Sequence, residues 1–225
     1  MALELHMHPL SSYCWKVLIA LYEAGTPFQP VFVDLGDPAV RSAYLQLSPF
    51  GKIPALRDPE RDAEVFETSI MIEHLDQYHP GPAPLIPADR ELALEVRLMD
   101  RIFDLHVHSV FQRLVDFRLR PEDSRDPLAP TIVSALLNQA YDVLESRLAG
   151  RVWAAGDAFS LADCAAAPAL FYADVLEPIG PERPALAADR ARLLARPSVA
   201  RAVEEAKPYF GNFPGTDAER ARLPA

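Results

Sequence analysis

Residues 48–56 read Ser-Pro-Phe-Gly-Lys-Ile-Pro-Ala-Leu, and after a polar turn residues 65–69 read Val-Phe-Glu-Thr-Ser. Proline cannot donate to a sheet ladder, so it is confined to strand edges, bulges and cis bonds. Ile53 fits a strand but is followed at once by Pro54, which we interpret as the mark of an edge. At such an edge the backbone N–H and C=O of Ile53 are free to pair with an extended peptide.

Three polar residues, Glu67, Thr68 and Ser69, come directly before the apolar run that begins at Ile70. The apolar spacing predicts a helix from Ser69 to Tyr78. Hydroxyls and unpaired N–H groups at a helix start favour a carboxylate, and the Glu67 carboxylate favours an ammonium. This pattern predicts a ligand with both groups at one end of a peptide-like body. The other interpretation is an ordinary edge strand and helix cap that bind nothing.

The two motifs together resemble the glutathione-binding half of the cytosolic glutathione S-transferases. The resemblance rests on the run Gly-Lys-Ile-Pro-Ala-Leu at residues 51–56 and on Glu-Thr-Ser at residues 67–69. It implies a cis Pro54, with the Ile53 backbone pairing to the cysteinyl part of glutathione. It further implies that Lys52 helps to hold the tripeptide and that Glu67 and Thr68 hold its γ-glutamyl end.

The first 79 residues predict an alternating order of strands and helices. Leu3, Leu5 and Met7 alternate with polar residues in a short strand, and a helical pattern follows from Ser11 to Gly25. The remaining elements are a strand over 28–33, a short helix over 38–47, a hairpin from 53–56 to the residues around 65, and the helix over 69–78. This βαβαββα order is that of a thioredoxin-like α/β domain with a mixed four-stranded sheet.

Ser11-Ser12-Tyr13-Cys14 stands where glutaredoxin-like proteins carry Cys-Pro-Tyr-Cys. The segment also resembles the serine-type start of zeta, theta and phi transferases, which implies a serine-type, bacterial theta/zeta-like member with Ser11 as the catalytic residue. Ser12 and Tyr13 remain alternative donors, and a purely structural helix-capping role for Ser11 or Ser12 is the plainer interpretation. We interpret Cys14 as a residue of the helix face, although a mixed disulfide with glutathione stays open.

Thiolate stabilisation by Ser11 is feasible on energetic grounds. A free thiol has a pKa near 8.5, and lowering it by ~2 units requires about 2.7 kcal/mol in favour of the thiolate. A hydrogen bond to a charged group supplies ~1.5–3 kcal/mol and a helix N-terminus about 0.3–2 kcal/mol. A hydroxyl at the start of a helix therefore suffices without acting as a base.

The composition changes at residues 80–88, where four prolines predict a linker. We predict a glutathione-binding domain over 1–79 and, over 89–225, an all-helical bundle for the second substrate and dimerisation. Ser160 and Asp163 predict a capping box ahead of an apolar helix. Six aromatic residues are candidates for an apolar second-substrate pocket, although most aromatic residues at helical spacing belong to a core: Phe111, Phe117, Tyr172, Tyr209, Phe210 and Phe213.

Composition excludes several classes of function. The net charge of -10 and the absence of a basic run disfavour nucleic-acid and anionic-membrane surfaces. The two cysteines are far apart, which predicts neither a disulfide framework nor a zinc site. His6-x-His8 and His106-x-His108 each lack a third ligand of suitable spacing, so we predict no metal. The N-terminus lacks the features of an export signal, and no apolar run approaches a membrane span, which predicts a cytoplasmic location.

The resemblance implies a homodimeric glutathione transferase, with glutathione as co-substrate, that attacks small apolar electrophiles. In such a dimer Asp100 or Asp104 of one subunit is expected near the glutathione of its neighbour. Three other functions stay open: a glutathione-dependent disulfide reductase or peroxidase, a zeta-type cis–trans isomerase, and a non-enzymatic glutathione-binding module. The isomerase requires cationic groups near the second substrate, and Tyr13 stands where the zeta class has cysteine.

Overall fold

The computed structural model describes residues 2–224 and contains a four-stranded mixed sheet. The spatial order is β2-β1-β3-β4, in which β2 runs parallel to β1 while β3 and β4 are antiparallel to their neighbours. Leu3, Leu5 and Met7 of β1 are buried. The strands are β1 Leu3–Met7, β2 Phe28–Phe32, β3 Ala55–Asp58 and β4 Ala63–Val65.

Ten α-helices are present in residues 2–224, three within the sheet-forming part and seven after it. A π-helical segment, Phe103–His108, joins α4 to α5. Short 3₁₀ segments follow at Glu122–Ser124 and Lys207–Asn212. The helices are α1 Ser12–Ala24, α2 Pro38–Tyr44, α3 Thr68–Tyr78, α4 Arg90–Ile102, α5 Ser109–Arg118, α6 Ala129–Leu148, α7 Leu161–Leu176, α8 Pro184–Leu194, α9 Pro197–Ala206 and α10 Asp217–Arg220.

The predicted order βαβαββα and the helical second part are confirmed. No helix or strand lies between Tyr78 and Arg90, the region where the linker over 80–88 is predicted. The division of the chain into two domains stays a prediction, and its outermost residues, Met1 and Ala225, lie outside the described range.

The structure corrects the predicted edge at Pro54. β3 is an interior strand that begins at Ala55, and Pro54 lies directly before it rather than on an edge strand. Since the ladder starts only after Pro54, the missing N–H costs no ladder hydrogen bond. The proline that does lie on an edge strand is Pro30, in β2. Smaller differences are that α3 begins at Thr68, one residue early, and that α2 ends at Tyr44.

One continuous apolar core joins the sheet-forming part to the helical part. The indole ring of Trp15 in α1 lies 4.8 Å from the ring of Phe171 and 5.1 Å from that of Tyr172, both in α7. The predicted capping box opens α7, where Asp163 accepts hydrogen bonds from the backbone N–H of Ser160 at 2.9 Å and from its hydroxyl at 3.0 Å. These contacts fix α7 as the central helix against which α1 packs.

A buried ion cluster crosses the same junction. The Lys16 ammonium, fully buried on α1, lies 2.5 Å from Asp100 Oδ1 and 2.7 Å from Asp104 Oδ2, and donates to Ser69 Oγ at 2.9 Å. Arg101 pairs with both aspartates from the solvent side. Burying a charge costs free energy unless the charge is paired, so the buried Lys16 ammonium depends on its ion pairs with the two aspartates.

Among the residues that the structure describes, none of the helices combines the length and apolar character needed to cross a membrane.

Candidate active site

Strand register gathers the predicted site residues at one end of the sheet. His6 pairs with Ala55 and Leu56 pairs with Val65, so β1 and β4 both end beside the start of β3. The Ser11 loop follows β1, the Ile53-Pro54 bond precedes β3, and Glu67 follows β4. Three segments that are distant in the sequence therefore meet at one end of the sheet.

Ser11 is the N-cap of α1. Its backbone is extended, with φ −75° and ψ 119°, and its Oγ accepts a hydrogen bond from the backbone N–H of Cys14 at 3.4 Å. Accepting this bond leaves the hydroxyl proton of Ser11 free to donate to a second group. The side chain is thus held at the positive end of a helix with one donor available.

The Ile53–Pro54 peptide bond is cis, as the resemblance implies. The backbone N–H and C=O of Ile53 form no hydrogen bond to any other residue of the described chain. The neighbouring carbonyl of Lys52 is fixed, because it accepts from Tyr44 Oη at 2.8 Å and from Ser48 Oγ at 3.0 Å. The unpaired N–H and C=O of Ile53, next to the fixed carbonyl of Lys52, can form hydrogen bonds with the backbone of a peptide.

Glu67 occupies the N-cap position of α3 at φ +70° and ψ 111°. A residue other than glycine at positive φ is uncommon and costs free energy unless its surroundings hold it there. The Glu67 side chain is exposed and does not cap the helix, whereas Thr68, the first residue of α3, is buried. The carboxylate of Glu67 therefore does not cap α3 and is accessible to solvent.

A cavity of about 590 Å³ opens beside Ser11 and Ile53. Ser12 also lines it, but Lys52, Pro54, Glu67 and Thr68 do not. Four of the six aromatic candidates line it, and Phe117 and Phe210 do not. The lining residues are His8, Leu10, Ser11, Ser12, Phe32, Val33, Asp34, Leu35, Gly36, Ile53, Phe111, Gln112, Val115, Leu119, Tyr172, Tyr209, Asn212, Phe213 and Pro214.

His8 is a polar residue of the cavity lining that the sequence did not predict as part of the site. Its Nδ1 accepts from the backbone N–H of Leu10 at 3.1 Å, so the neutral ring carries its proton on Nε2. The ring lies 4.8 Å from that of Phe32 and 5.1 Å from that of Tyr209. Burial lowers the pKa of His8 more than nearby Asp34 raises it, which favours the neutral ring. A histidine just after a strand, before Pro9, is the only sequence signal that was available.

Tyr13 and Cys14 are occupied elsewhere. Tyr13 Oη lies 3.1 Å from Ser109 Oγ, its ring stacks at 3.8 Å on that of His108, and it does not line the cavity. Cys14 is fully buried, and burial raises the pKa of its thiol to about 12. The geometry disfavours a mixed disulfide at Cys14 and favours a serine as the donor to a ligand.

Asp100 and Asp104 belong to the buried Lys16 cluster of their own chain and are 1% and 5% exposed. This placement disfavours a direct contact between either carboxylate and a ligand in a neighbouring subunit. Arg101, whose side chain is 45% exposed, covers both of them and Ser69. Residues 2–224 contain no group of three metal-binding side chains that includes His6, His8, His106 or His108.

Two family models match the chain. A glutathione S-transferase N-terminal domain matches residues 5–83, and a glutathione S-transferase C-terminal domain matches residues 112–201. Glutathione S-transferase 3 of Zea mays is 35% identical to the chain over 203 residues, which cover 86% of each protein. The chain belongs to the glutathione S-transferase family.

Two further similarities agree with this family. The glutathione S-transferase-like protein OpS6 of Beauveria bassiana is 36% identical over 77 residues, which cover 34% of this chain and 35% of that protein. A glutathione S-transferase of Methylobacillus flagellatus, crystallised with bound glutathione, superposes with a TM-score of 0.80 at 26% identity, covering 89% of this transferase chain and 98% of its own.

Proposed function

We propose that this chain is a serine-type glutathione transferase, similar to bacterial theta and zeta members, that joins glutathione to small apolar electrophiles. The observation that carries the proposal is that one cavity is lined both by Ser11, whose hydroxyl proton is free to donate, and by Ile53, whose backbone N–H and C=O are unpaired within the described chain. The Methylobacillus flagellatus relative, crystallised with glutathione, supports the choice of ligand.

Glutathione lies in extended form across the end of the sheet in this proposal. Its cysteinyl backbone pairs with Ile53 before the cis Pro54, and the Lys52 ammonium, on an exposed side chain, attracts its glycyl carboxylate. The γ-glutamyl carboxylate takes the unpaired N–H groups at the start of α3 near Thr68, and the exposed Glu67 carboxylate takes the ammonium.

The sulfur then meets Ser11 at the N-terminus of α1. The hydroxyl donates to the thiolate while its oxygen keeps the hydrogen bond from Cys14 N–H. The thiol proton leaves to solvent, since a serine that donates cannot also accept it. The thiolate attacks the electrophilic carbon, a C–S bond forms, and the leaving group departs with its electron pair.

The second substrate occupies the aromatic part of the cavity. Phe32, Tyr209 and Phe213 supply flat apolar surface, and the Nε2–H of His8 is a donor with no partner among the described residues. We infer that the preferred electrophile is a flat apolar molecule bearing a hydrogen-bond acceptor, such as a nitro or carbonyl group.

Two associated proposals follow from the family. The first is a homodimer, which suits several apolar side chains that are left exposed: Phe50, Phe66, Ile70, Leu94, Leu98 and Leu105. The second is a cytoplasmic location, because the cytosol maintains reduced glutathione.

The test combines binding and turnover on the purified full chain. Calorimetry should show that wild-type protein binds glutathione, and Glu67→Gln should weaken the binding because the ammonium loses its counter-charge. Turnover should be measured with a nitro-substituted aryl halide, a glutathione mixed disulfide, an organic peroxide and a cis–trans isomerisable diene acid.

The results separate the candidate functions. Conjugation of the aryl halide as the fastest reaction supports the transferase, whereas reduction of the disulfide or peroxide without conjugation supports the reductase or peroxidase. Isomerisation alone supports the zeta-type reaction. Tight binding with no turnover of any substrate supports a binding module, and no uptake of glutathione overturns the whole proposal.

A further inference from the structure

A second cluster of reactive side chains lies at the opposite end of β3 from the cavity. Asp58 ends β3, His74 lies in α3, and His79 is the C-cap of α3. Asp58 Oδ2 is 2.9 Å from His74 Nε2 and 2.7 Å from His79 Nε2. One ligand atom from each residue lies within 4.8 Å of the others, the only such group in residues 2–224.

The two oxygens of Asp58 have different tasks. Oδ1 accepts from the backbone N–H of Glu60 at 3.1 Å, which fixes the turn between β3 and β4. Oδ2 faces both imidazoles and nothing else in the described chain. Oδ2 is therefore the ligand atom that Asp58 offers between the two imidazoles.

Both imidazoles are held in place by packing. The His74 ring meets the Tyr78 ring edge-on at 4.8 Å and lies 6.0 Å from the His79 ring. The backbone of His79 is tied at both ends, because its N–H donates to Leu75 O at 2.8 Å and its C=O accepts from Thr26 Oγ1 at 3.3 Å. The side chains of His74 and His79 are 10% and 19% exposed, which leaves a path for a small ion.

We propose that Asp58, His74 and His79 bind a divalent transition-metal ion, with zinc as the reference ion. Two imidazoles and one carboxylate are a ligand set that suits Zn²⁺, Co²⁺ and Ni²⁺ and leaves the remaining position to water. At about 2.0–2.1 Å from a tetrahedral ion the ligand atoms are about 3.3 Å apart, so the distance from Asp58 Oδ2 to each imidazole nitrogen widens by roughly 0.5 Å.

The proton balance of binding is simple. In the metal-free protein each imidazole donates its Nε2 proton to Asp58 Oδ2, because a carboxylate oxygen can only accept, and the metal takes the place of both protons. Each ring then carries its proton on Nδ1. Neither Nδ1 atom is among the buried polar atoms that lack a partner, so the new N–H groups can donate hydrogen bonds to water. Metal binding therefore exchanges the tautomer of each ring.

The position of the cluster indicates a structural role. The ion would link the end of β3 to the C-terminal end of α3, next to the proline-rich segment that begins at Pro80. Ile53, which lines the cavity, precedes the opposite end of β3. The cluster does not depend on glutathione, so this proposal stands or falls independently of the transferase activity.

Metal binding should be measured on the full chain, first stripped with a chelator, by equilibrium dialysis with Zn²⁺ and by visible absorption with Co²⁺. We expect one ion per chain and a rise in melting temperature with Zn²⁺. His74→Gln and His79→Gln should each weaken binding about tenfold or more, since losing even an outer-shell partner of a metal costs 10–100-fold. His106→Gln, at an exposed histidine outside the cluster, is the matched control and should bind like wild type.

The outcomes are decisive in both directions. Metal-free melting curves show whether each glutamine variant is folded, and Asp58→Asn tests the third ligand without removing a ring. The proposal is overturned when wild-type protein takes up no ion at micromolar zinc, or when the folded glutamine variants bind as well as wild type. Equal loss in His106→Gln would also overturn it, because binding would then be scattered over surface histidines.

Discussion

Ser11 combines the two properties that a thiolate stabiliser needs. Its oxygen is engaged by the first turn of α1, and its proton remains available at the cavity wall. The position of the loop in the sequence predicted that a hydroxyl there donates to the thiolate. The choice among Ser11, Ser12 and Tyr13, however, depends on the directions of their side chains. Ser12 still lines the cavity, so the assignment to Ser11 is a proposal that mutation can test.

Replacing Ser11 by alanine should raise the pKa of the bound thiol. Loss of a hydrogen bond to a charged sulfur, about 1.5–3 kcal/mol, corresponds to roughly one to two pKa units. The measurement is a pH titration of thiolate absorbance in the glutathione complex. Tyr13→Phe is the control, because the Tyr13 hydroxyl faces Ser109, and it should leave the titration unchanged. An unchanged pKa in Ser11→Ala together with a raised one in Ser12→Ala would transfer the role to Ser12.

Replacing His8 by leucine should lower turnover of the second substrate without changing the affinity for glutathione. A neutral hydrogen bond contributes about 0.5–1.5 kcal/mol, so kcat/KM for an acceptor-bearing electrophile should fall by up to about tenfold. His8→Asn retains both an acceptor for Leu10 N–H and a donor, and should recover part of the loss. The affinity for glutathione, measured by calorimetry, should not change. A leucine variant that loses equally on electrophiles with and without an acceptor would contradict the assigned role.

At the scale of single elements, β3 and α3 are joined by the Asp58 carboxylate. Hydrogen bonding holds its folded-state pKa near 2, below the ordinary value of 3.8, so it stabilises the fold fully above pH 4. That contribution should disappear as the pH falls from about 4 towards 2. Denaturant unfolding should show Asp58→Asn less stable than wild type at pH 6, and the difference should shrink below pH 4. A constant difference across that range would show that the carboxylate charge is not the cause.

Sequence patterns predicted the elements better than their ends. Periodicity predicted the helices and strands, and the Ile53-Pro54 pair indicated the candidate site, but the start of β3 at Ala55 depends on its ladder with β1. Between α4 and α5 the chain passes through π-helical turns at Phe103–His108, which the sequence patterns did not predict. The sequence singled out His8 only in a His-x-His pattern. It did not indicate the Asp58–His74–His79 cluster, because Asp58 lies 16 and 21 residues before the two histidines and meets them only after folding.

For the whole molecule, a set of exposed apolar side chains defines a dimer prediction. Phe50 is 68% exposed and packs edge-on against Phe66 at 5.8 Å, while Leu94 and Leu98 share one face of α4. Large exposed apolar patches mark interaction surfaces, so we expect a second copy of the chain to cover them.

Phe50→Ser should shift the protein towards monomer because it removes the most exposed aromatic ring of this patch. Ile132→Ser changes a side chain of α6 that is 50% exposed and is the matched control. Size-exclusion chromatography with light scattering should give a dimer for wild type and for the control, and a concentration-dependent mixture for Phe50→Ser. A monomeric wild type, or equal dissociation of both variants, would locate the interface elsewhere or remove it.

The burial of Lys16 between two aspartates limits how this chain exchanges parts with its relatives. A chimera that imports only the sheet-forming half, from a relative lacking the lysine, would leave Asp100 and Asp104 facing each other with only Arg101 between them and water. Importing only the helical half, without the aspartates, would strand an ammonium ion in an apolar interior. We therefore expect recombination at the proline-rich junction to give a stable fold only when the lysine and both aspartates are all present or all absent.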